Sequence, residues 1–230
     1  MQSQSIKTPP AYTDRIRQQL GNCLIETDLP NGQRRQGKVR DQYDLGDEIA
    51  LVTTDRQSAF DRVLAAIPFK GQVLNQTSAW WFEQTRHIVD NQVLSIPDPN
   101  VTLARKCEVF PIEFVMRGYI TGSTSTSLWT VYRDGSRSYC GNDLPEGLIK
   151  NQKLEQNMIT PTTKEEAHDQ PIAPPEIVSE DWMSEADWTR CRDIAFELFA
   201  FGQARAAEHG LILVDTKYEM GRAPDGTILL

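Results

Sequence analysis

The stretch LILVDTKYEM, residues 211–220, decides how this chain is interpreted. In a β-strand, successive side chains point to opposite faces of the sheet. One face of this stretch suits a hydrophobic core, since it would carry Ile212, Val214, Thr216, Tyr218 and Met220. The other face begins with two leucines and continues with the charged residues Asp215, Lys217 and Glu219. We therefore predict a strand that runs out of the core into a polar cleft.

The charged end of this predicted strand is compatible with two interpretations. Two carboxylates that flank an ammonium group at positions i, i+2 and i+4 can hold Mg²⁺ and place a cation beside a phosphoryl group in transfer. Alternating acidic and basic residues are also common on strands that face water. The pattern alone leaves both interpretations open.

A second predicted strand, EFVMRGY at residues 113–119, contains an arginine within an apolar run. Burying Arg117 without a partner is costly, and a guanidinium group suits a ligand carboxylate or phosphate. An internal salt bridge with Glu113 or Asp134 would explain the pattern equally well. Gly118, the next residue, permits another backbone to approach closely.

Two further segments have the composition of anion sites. GKVR, residues 37–40, would place two cations on one face of a strand after a glycine, where they could contact nucleotide phosphates. It matches neither the Walker A nor the G-x-G-x-x-G pattern, and a basic pair on the surface is the alternative. TGSTSTS, residues 121–127, leads into a predicted short helix near Trp129. It is either an anion site at a helix start or a flexible connector.

Two longer helices are predicted. The first follows Gly71 and runs to Thr85. The second begins at Ser184, an N-cap with Asp187 three residues later, and stops at Gly210. Its apolar face predicts core packing, since it repeats with helical period through Trp188, Cys191, Ala195, Leu198 and Gly202.

Composition excludes several kinds of function. A net charge of −8 argues against a nucleic-acid surface, which needs many clustered cations. No apolar run is long enough to span a membrane, and the polar residues 1–10 do not resemble a secretory signal. Four dispersed cysteines and three histidines predict free thiols in a reducing cytosol and no zinc site. We expect a cytoplasmic protein, and a small phosphorylated ligand remains compatible with this charge.

Seven segments of the chain resemble the SAICAR synthetase (phosphoribosylaminoimidazole-succinocarboxamide synthase) family, in that family's order. They are GKVRDQYDL (37–45), TDRQSAFD (54–61), IPFKGQVLNQTSAWWF (67–82), CEVFPIEFVMRGYITGS (107–123), LPEGLIKNQKL (144–154), TPTTKEEAHD (160–169) and LILVDTKYEMG (211–221). Each segment alone is unspecific, whereas seven in order are highly specific. The resemblance implies an α+β fold with mostly antiparallel sheets, formed by an ATP-binding lobe (1–107) and a substrate and metal lobe (108–230) with an ATP cleft between them.

The resemblance also implies a reaction and its ligands. ATP and Mg²⁺ would drive the joining of L-aspartate to the carboxylate of carboxyaminoimidazole ribonucleotide, giving SAICAR, ADP and phosphate in de novo purine biosynthesis. The partners would be these small molecules, with no nucleic acid and no membrane.

The family's site residues can be carried onto this sequence. For ATP, the resemblance implies the side chains of Lys38 and Arg40 at the triphosphate, Lys164 near the nucleotide, and the backbone of Lys106, Cys107 and Glu108 at the adenine edge. For the ribotide it implies Arg117 near the carboxylate, Ser123 at the phosphate, Asp61 nearby, and Asp215 as a further substrate contact. Lys217 and Asp169 would be catalytic, and Glu219 would bind Mg²⁺.

The end of the sequence leaves alternatives open. The family pattern continues beyond Pro224-Asp225-Gly226 and the strand start at 227–230 to a second acidic Mg²⁺ ligand and a D-S-S-R-like segment. We therefore expect an interrupted sequence. A truncated, non-catalytic nucleotide-binding relative is the main alternative to the ligase, and a small-molecule kinase is a third. The oligomeric state is not predicted.

Overall fold

The computed structural model describes residues 10–30, 32–59, 62–164 and 169–230, with the Pro10 side chain excepted. The chain divides into two compact units. The first contains the chain up to Gln84 together with Gln92–Lys106, and the second contains Thr85–Asn91 and Cys107–Leu230. Asp61, one of the predicted site residues, lies outside the described residues. The assignment of ATP to 1–107 and of substrates and metal to 108–230 stays a prediction.

The first unit is built on a five-stranded antiparallel sheet in the order β1-β2-β3-β7-β6, accompanied by the hairpin β4-β5 and two helices. Its elements are α1 (Pro10–Gln18), β1 (Gln33–Gln36), β2 (Arg40–Asp44), β3 (Glu48–Thr53), β4 (Arg56–Ala59), β5 (Arg62–Ala66), α2 (Lys70–Gln84), β6 (Val93–Asp98) and β7 (Val101–Arg105). The helix α2 agrees with the helix predicted after Gly71. Tyr43, Ala50 and Val52 form a small buried core on the sheet.

The second unit is organised around one long strand, β9, which pairs antiparallel with β12, β13 and β14. Its elements are β8 (Glu108–Val109), β9 (Ile112–Ile120), α3 (Leu128–Arg133), β10 (Ser138–Tyr139), β11 (Asn142–Asp143), β12 (Gln152–Ile159), β13 (Thr162–Thr163), α4 (Pro174–Ser179), α5 (Glu185–Glu208), β14 (Asp215–Tyr218), β15 (Gly221–Arg222) and β16 (Ile228–Leu229). A smaller sheet has the order β16-β15-β8. The short helix predicted near Trp129 is α3.

The helix α5 covers one face of β9 and follows its sequence signals. The Ser184 hydroxyl caps the helix by accepting a hydrogen bond from the Asp187 amide at 3.1 Å. The predicted apolar face is buried against Ile112, Phe114 and Met116 of β9, and the Phe114 ring stacks on Trp188. Gly210, just past the helix end, adopts the left-handed conformation predicted for a C-terminal stop (φ +69°). The predicted helix and its core-packing role are confirmed.

Gly118 on β9 is crowded by side chains, whereas the sequence predicted the close approach of another backbone. A Cβ placed on this residue would lie 2.7 Å from Gln203 Nε2 and 3.3 Å from Asn157 Oδ1. These two amide side chains hydrogen-bond to each other at 2.8 Å. A larger residue at position 118 would therefore push apart the contact between α5 and β12.

The predicted strand over 211–220 is correct only in part. The sheet pairing with β9 begins at Asp215, and β14 ends at Tyr218. Residues 211 and 212 precede that pairing, and Ile212 is 68% exposed where the core was predicted. Met220 is buried as predicted.

None of the helices in the described part of the chain combines the length and the apolar character that crossing a bilayer requires.

Candidate active site

Several charged residues of the second unit gather on the face of β9 that points away from α5. Side chains alternate along β9, so Glu113, Val115 and Arg117 share this face while Phe114 and Met116 enter the core. In the antiparallel register, Asp215 lies opposite Arg117, and Lys217 lies opposite Val115. Directly opposed residues share a face, so two strands distant in sequence build one polar surface.

Lys217 lies between two carboxylates on this surface. Its Nζ is 2.6 Å from Glu113 Oε2 and 3.7 Å from Asp169 Oδ2. The Thr162 hydroxyl donates to the same Glu113 oxygen at 2.9 Å. The structure thus places Asp169 beside Lys217, the two residues predicted to be catalytic, and adds Glu113, which the sequence analysis named only as a possible partner of Arg117.

Glu113 carries its negative charge although it is buried. Burial alone would raise the pKa of Glu113, but hydrogen bonds from Lys217 and Thr162 outweigh it. The positive charges of Lys217 and Lys164 act in the same direction, so the pKa lies below the ordinary glutamate value. The carboxylate is therefore ionised at neutral pH and attracts the Lys217 ammonium.

Lys164 and Glu219 form a second ion pair, with Lys164 Nζ 2.5 Å from Glu219 Oε2. The Lys164 amide donates to the Pro111 carbonyl at 3.0 Å, which ties this residue to the start of β9. Lys164 was predicted near the nucleotide and Glu219 as a metal ligand, and the structure makes them neighbours. Within the described residues, no cluster of three or more acidic, histidine or cysteine side chains forms a metal site.

Arg117 is held in place by a hydroxyl group. Its Nε donates to Thr160 Oγ1 at 2.8 Å, and its Nη1 is 3.8 Å from Asp215 Oδ2. The sequence left Glu113 or Asp134 open as ion partners, and neither is correct. Glu113 binds Lys217, and Asp134 pairs with the adjacent Arg133. The Asp215 contact is too long for a hydrogen bond, so the guanidinium group is oriented while its terminal nitrogens can take a ligand carboxylate or phosphate.

The loop after β9 places Ser123 at the protein surface. Gly122 has a φ of +110°, and a Cβ at this position would lie 2.3 Å from Ser127 Cβ, so only glycine fits. The Ser127 hydroxyl donates to the Thr124 carbonyl at 2.8 Å, and the Trp129 amide donates to the Thr121 carbonyl at 3.1 Å. The loop is therefore closed by its own hydrogen bonds before α3 begins.

In the first unit, the GKVR segment forms a hairpin turn. The Gly37 amide donates to the Arg40 carbonyl at 2.8 Å, and Lys38 lies in the turn between β1 and β2. Arg40 is the first residue of β2. The prediction that Lys38 and Arg40 share one strand face is thus wrong, because a short strand, β1, precedes Gly37 and the chain reverses there.

Arg56 holds this turn from inside the unit. Its Nη2 donates to the Gly37 carbonyl at 3.1 Å, and its Nε donates to the Lys38 carbonyl at 3.2 Å. Thr54 donates two hydrogen bonds to the Val39 carbonyl, one from its amide at 3.0 Å and one from its hydroxyl at 2.8 Å. Sequence reasoning missed Arg56. Its signal was a charged Asp-Arg pair at residues 55 and 56, one residue beyond the apolar strand 49–53.

The residues predicted to face adenine lie where the chain passes from one unit to the other. Lys106 ends the first unit, with its Nζ 2.5 Å from Asp44 Oδ1. Cys107 begins the longer segment of the second unit and packs on Gly221, where a Cβ would lie 2.7 Å from the Cys107 Sγ. Glu108 starts β8, in register with Arg222 of β15. Their adenine contacts stay a prediction.

Comparison with known proteins identifies the class. The chain is similar to "SAICAR-synthase from Saccharomyces cerevisiae complexed SAICAR", with a TM-score of 0.78 and 29% identity, over 90% of this chain and 75% of that one. This likeness confirms the α+β fold with mostly antiparallel sheets. Proteins of this class are ATP-dependent ligases that join aspartate to a ribotide in purine biosynthesis.

Sequence comparison then gives the family. The family described as SAICAR synthetase matches residues 33–230. The phosphoribosylaminoimidazole-succinocarboxamide synthase of Legionella pneumophila (strain Paris) is 63% identical over 90% of this chain, and the chloroplastic enzyme of that name from Vigna aconitifolia is 60% identical over 92%. The chain belongs to the SAICAR synthetase family, as its seven segments predicted. It spans 67% of the Legionella relative and 63% of the Vigna relative.

Proposed function

We propose that this protein joins L-aspartate to the carboxylate of carboxyaminoimidazole ribonucleotide at the expense of ATP, giving SAICAR, ADP and phosphate. Membership of the family supports the proposal, and so do the relatives named for this reaction. The structural observation that carries it is the position of Lys217 between Glu113 and Asp169, on the same sheet face as Arg117 and Asp215.

The reaction needs an activated carboxylate. A carboxylate is a poor acyl donor because oxide is a poor leaving group. We propose that the ribotide carboxylate oxygen attacks the γ-phosphorus of ATP, which breaks the bond to ADP and gives an acyl phosphate. The aspartate amine then attacks the carbonyl carbon, a C–N bond forms, and phosphate leaves with the C–O electron pair. The amine loses a proton in this step, and Asp169 is our candidate to receive it.

The proposed ribotide contacts follow from the geometry of Arg117. Thr160 fixes its guanidinium plane through Nε, so the two terminal nitrogens can form a forked contact with the carboxylate of the ribotide. Asp215 would keep this arginine in place before the substrate arrives. Ser123, exposed in the loop after β9, is the proposed contact of the ribotide phosphate, and Asp61 is a further proposed contact.

The proposed ATP contacts are the Lys38 and Arg40 side chains for the triphosphate, Lys164 for the nucleotide, and the backbone of residues 106–108 for adenine. Arg56 holds the backbone of this turn through the Gly37 and Lys38 carbonyls, which lowers the entropic cost of ordering the turn when ATP binds. Catalysis would depend on positioning and on neutralising the charge that the phosphates carry.

Glu219 is a suitable residue for Mg²⁺. A carboxylate is the hard oxygen ligand that this ion prefers, and one or two protein carboxylates plus substrate phosphates suffice. The Glu219 carboxylate is half exposed and already attracts a cation, the Lys164 ammonium. We propose that Glu219 holds the ion while Lys164 turns to the nucleotide phosphates. When bound, Mg²⁺ would neutralise charge on those phosphates.

The proposal is tested by ADP release from ATP and the carboxylated ribotide, measured with and without aspartate. We expect turnover that depends on aspartate and yields one SAICAR for each ADP. ADP release at the same rate with and without aspartate would support the kinase alternative. Nucleotide binding without turnover would support the non-catalytic relative. A cytoplasmic location stays a prediction, to be checked by cell fractionation.

A further inference from the structure

We propose that Glu113 is a positioning residue of the ligase reaction, which acts by fixing the Lys217 ammonium group beside the reacting groups. The inference rests on the proposed function, because it assigns Glu113 a role only through Lys217.

The two side chains differ sharply in exposure. The Glu113 side chain is 6% exposed and belongs to the central strand β9, whereas the Lys217 side chain is 47% exposed. A lysine has a flexible four-carbon stem, and ordering it costs conformational entropy. A short bond to a buried, rigid carboxylate supplies that order before any substrate binds. The ammonium group is therefore held from the protein side and remains open toward solvent.

The Glu113 carboxylate is itself fixed. Thr162 Oγ1 and Lys217 Nζ both donate to Oε2, at 2.9 and 2.6 Å. Thr162 is paired with Glu113 in the register of β13 with β9, so the backbone sets the position of this hydroxyl. A rotation of the carboxylate would break both bonds together. Two hydrogen bonds on one oxygen thus define where the ammonium nitrogen lies.

Asp169 contributes differently to the same lysine. Its carboxylate is half exposed and 3.7 Å from Nζ, beyond hydrogen-bond distance. A ligand phosphate or carboxylate can replace this loose contact, while the bond to Glu113 stays. Glu113 and Asp169 therefore have separate roles, since one holds the lysine and the other lies where substrate can displace it.

A purely structural role for this ion pair makes a different prediction. If the pair were only structural, its loss would lower the melting temperature and leave kcat unchanged. If Glu113 positions Lys217, its loss lowers kcat while substrate binding changes little.

The experiment compares Glu113→Gln with Glu155→Gln, the same change at an exposed position on β12. We expect Glu113→Gln to lower kcat about 10- to 100-fold, as for loss of a residue that orients a catalytic group, with the KM values for ATP and ribotide nearly unchanged. Glu155→Gln should behave like wild type. A kcat for Glu113→Gln equal to that of Glu155→Gln would overturn the proposal.

A second variant covers the case in which Glu113→Gln does not fold, which circular dichroism would show. Thr162→Val keeps the charge of Glu113 and removes the hydrogen bond that the Thr162 hydroxyl donates to Glu113 Oε2. We expect a smaller fall in kcat with unchanged KM values, and an unchanged kcat would then refute the proposal. Failure of the proposed function itself is distinguishable, because the wild-type protein would then show no aspartate-dependent turnover.

Discussion

The carboxylate of Asp41 lies 2.7 Å from the guanidinium group of Arg56, and both side chains are almost fully buried. Arg56 also donates to the Ile25 carbonyl at 2.5 Å, and the Thr27 hydroxyl donates to Asp41 at 2.7 Å. This buried pair therefore connects the segment before the sheet, the turn that carries Lys38, and strand β2. The stability of the first unit and the shape of its proposed phosphate contact depend on the same two residues.

The first prediction concerns acid stability. Burial alone would raise the pKa of Asp41, but hydrogen bonds from Arg56 and Thr27 and the nearby arginine charges bring it below the ordinary value of 3.8. Above pH 3.8 both the folded and unfolded states carry the charge, and its stabilising effect is complete. As the pH falls further, the unfolded chain binds a proton first, so the contribution is lost as the pH passes down through the folded pKa.

Urea unfolding between pH 7 and pH 3 checks this. We expect Asp41→Asn to be less stable than wild type by about 3 kcal/mol at pH 7, because it leaves a buried arginine charge uncompensated. The difference in the free energy of unfolding between wild type and Asp41→Asn should become smaller below pH 4. Parallel stability curves would contradict the assignment to Asp41.

The second prediction concerns Arg56→Lys. Lysine is a compact point charge and cannot bond to the Gly37 and Lys38 carbonyls and to Asp41 with one planar group. We expect the turn to loosen and the affinity for ATP to fall about tenfold, equivalent to about 1.4 kcal/mol. Isothermal titration with ATP measures this. Arg35→Lys, the same change at an exposed position on β1, is the control, and equal affinities for the two variants would refute the link.

The third prediction concerns Arg117→Lys. Lysine keeps the charge but loses the fork that the ribotide carboxylate is proposed to bind. We expect the KM for the ribotide to rise about 10- to 100-fold, as for loss of one charged hydrogen bond worth about 1.5–3 kcal/mol, with an unchanged KM for ATP. Steady-state kinetics, with the ribotide and ATP varied in turn, measure the two KM values separately. The control is Arg133→Lys on the surface of α3, which should leave the KM for the ribotide and the KM for ATP unchanged. If Arg117→Lys raised the KM for ATP alone, the assignment of Arg117 to the ribotide would be wrong.

The fourth prediction concerns stability alone. Ser184→Ala removes the hydroxyl that caps α5 and should cost about 1 kcal/mol, seen as a lower melting temperature with kcat unchanged. Ser179→Ala at the exposed end of α4 is the control, since its hydroxyl makes a long 3.5 Å contact with the Glu176 carbonyl. A melting temperature equal to that of the control would show that the cap contributes nothing.

Several of these features could be read from the sequence and others could not. The cap at Ser184, the apolar face of α5 and the stop at Gly210 are local signals, and each was predicted correctly. The pairing of Glu113 with Lys217 joins residues 104 positions apart, and a single sequence does not give the register of distant strands. The same limit explains the wrong candidates for the ion partner of Arg117.

The turn at Lys38 shows another limit. Alternation in GKVR is compatible with a strand, and only the presence of β1 before it makes the chain reverse at Gly37. The polar sequence QRRQ of β1 carries no apolar periodicity, so this strand gave no signal. Arg56 was overlooked because three of its partners are backbone carbonyls, which every residue has, and its carboxylate partner Asp41 lies 15 positions away in the sequence.

The position of β9 between β12 and β14 also bears on how the protein reaches its native state. During synthesis, β9 leaves the ribosome about a hundred residues before β14, the partner that supplies Lys217. Until that partner arrives, an apolar strand has one unpaired edge, which other chains can join. The chain between β9 and β14 is a long loop, and closing it is slow because the entropic cost of closure is met before the contacts between the two strands form. The proposed catalytic surface is therefore assembled late, by the same step that covers this edge of β9.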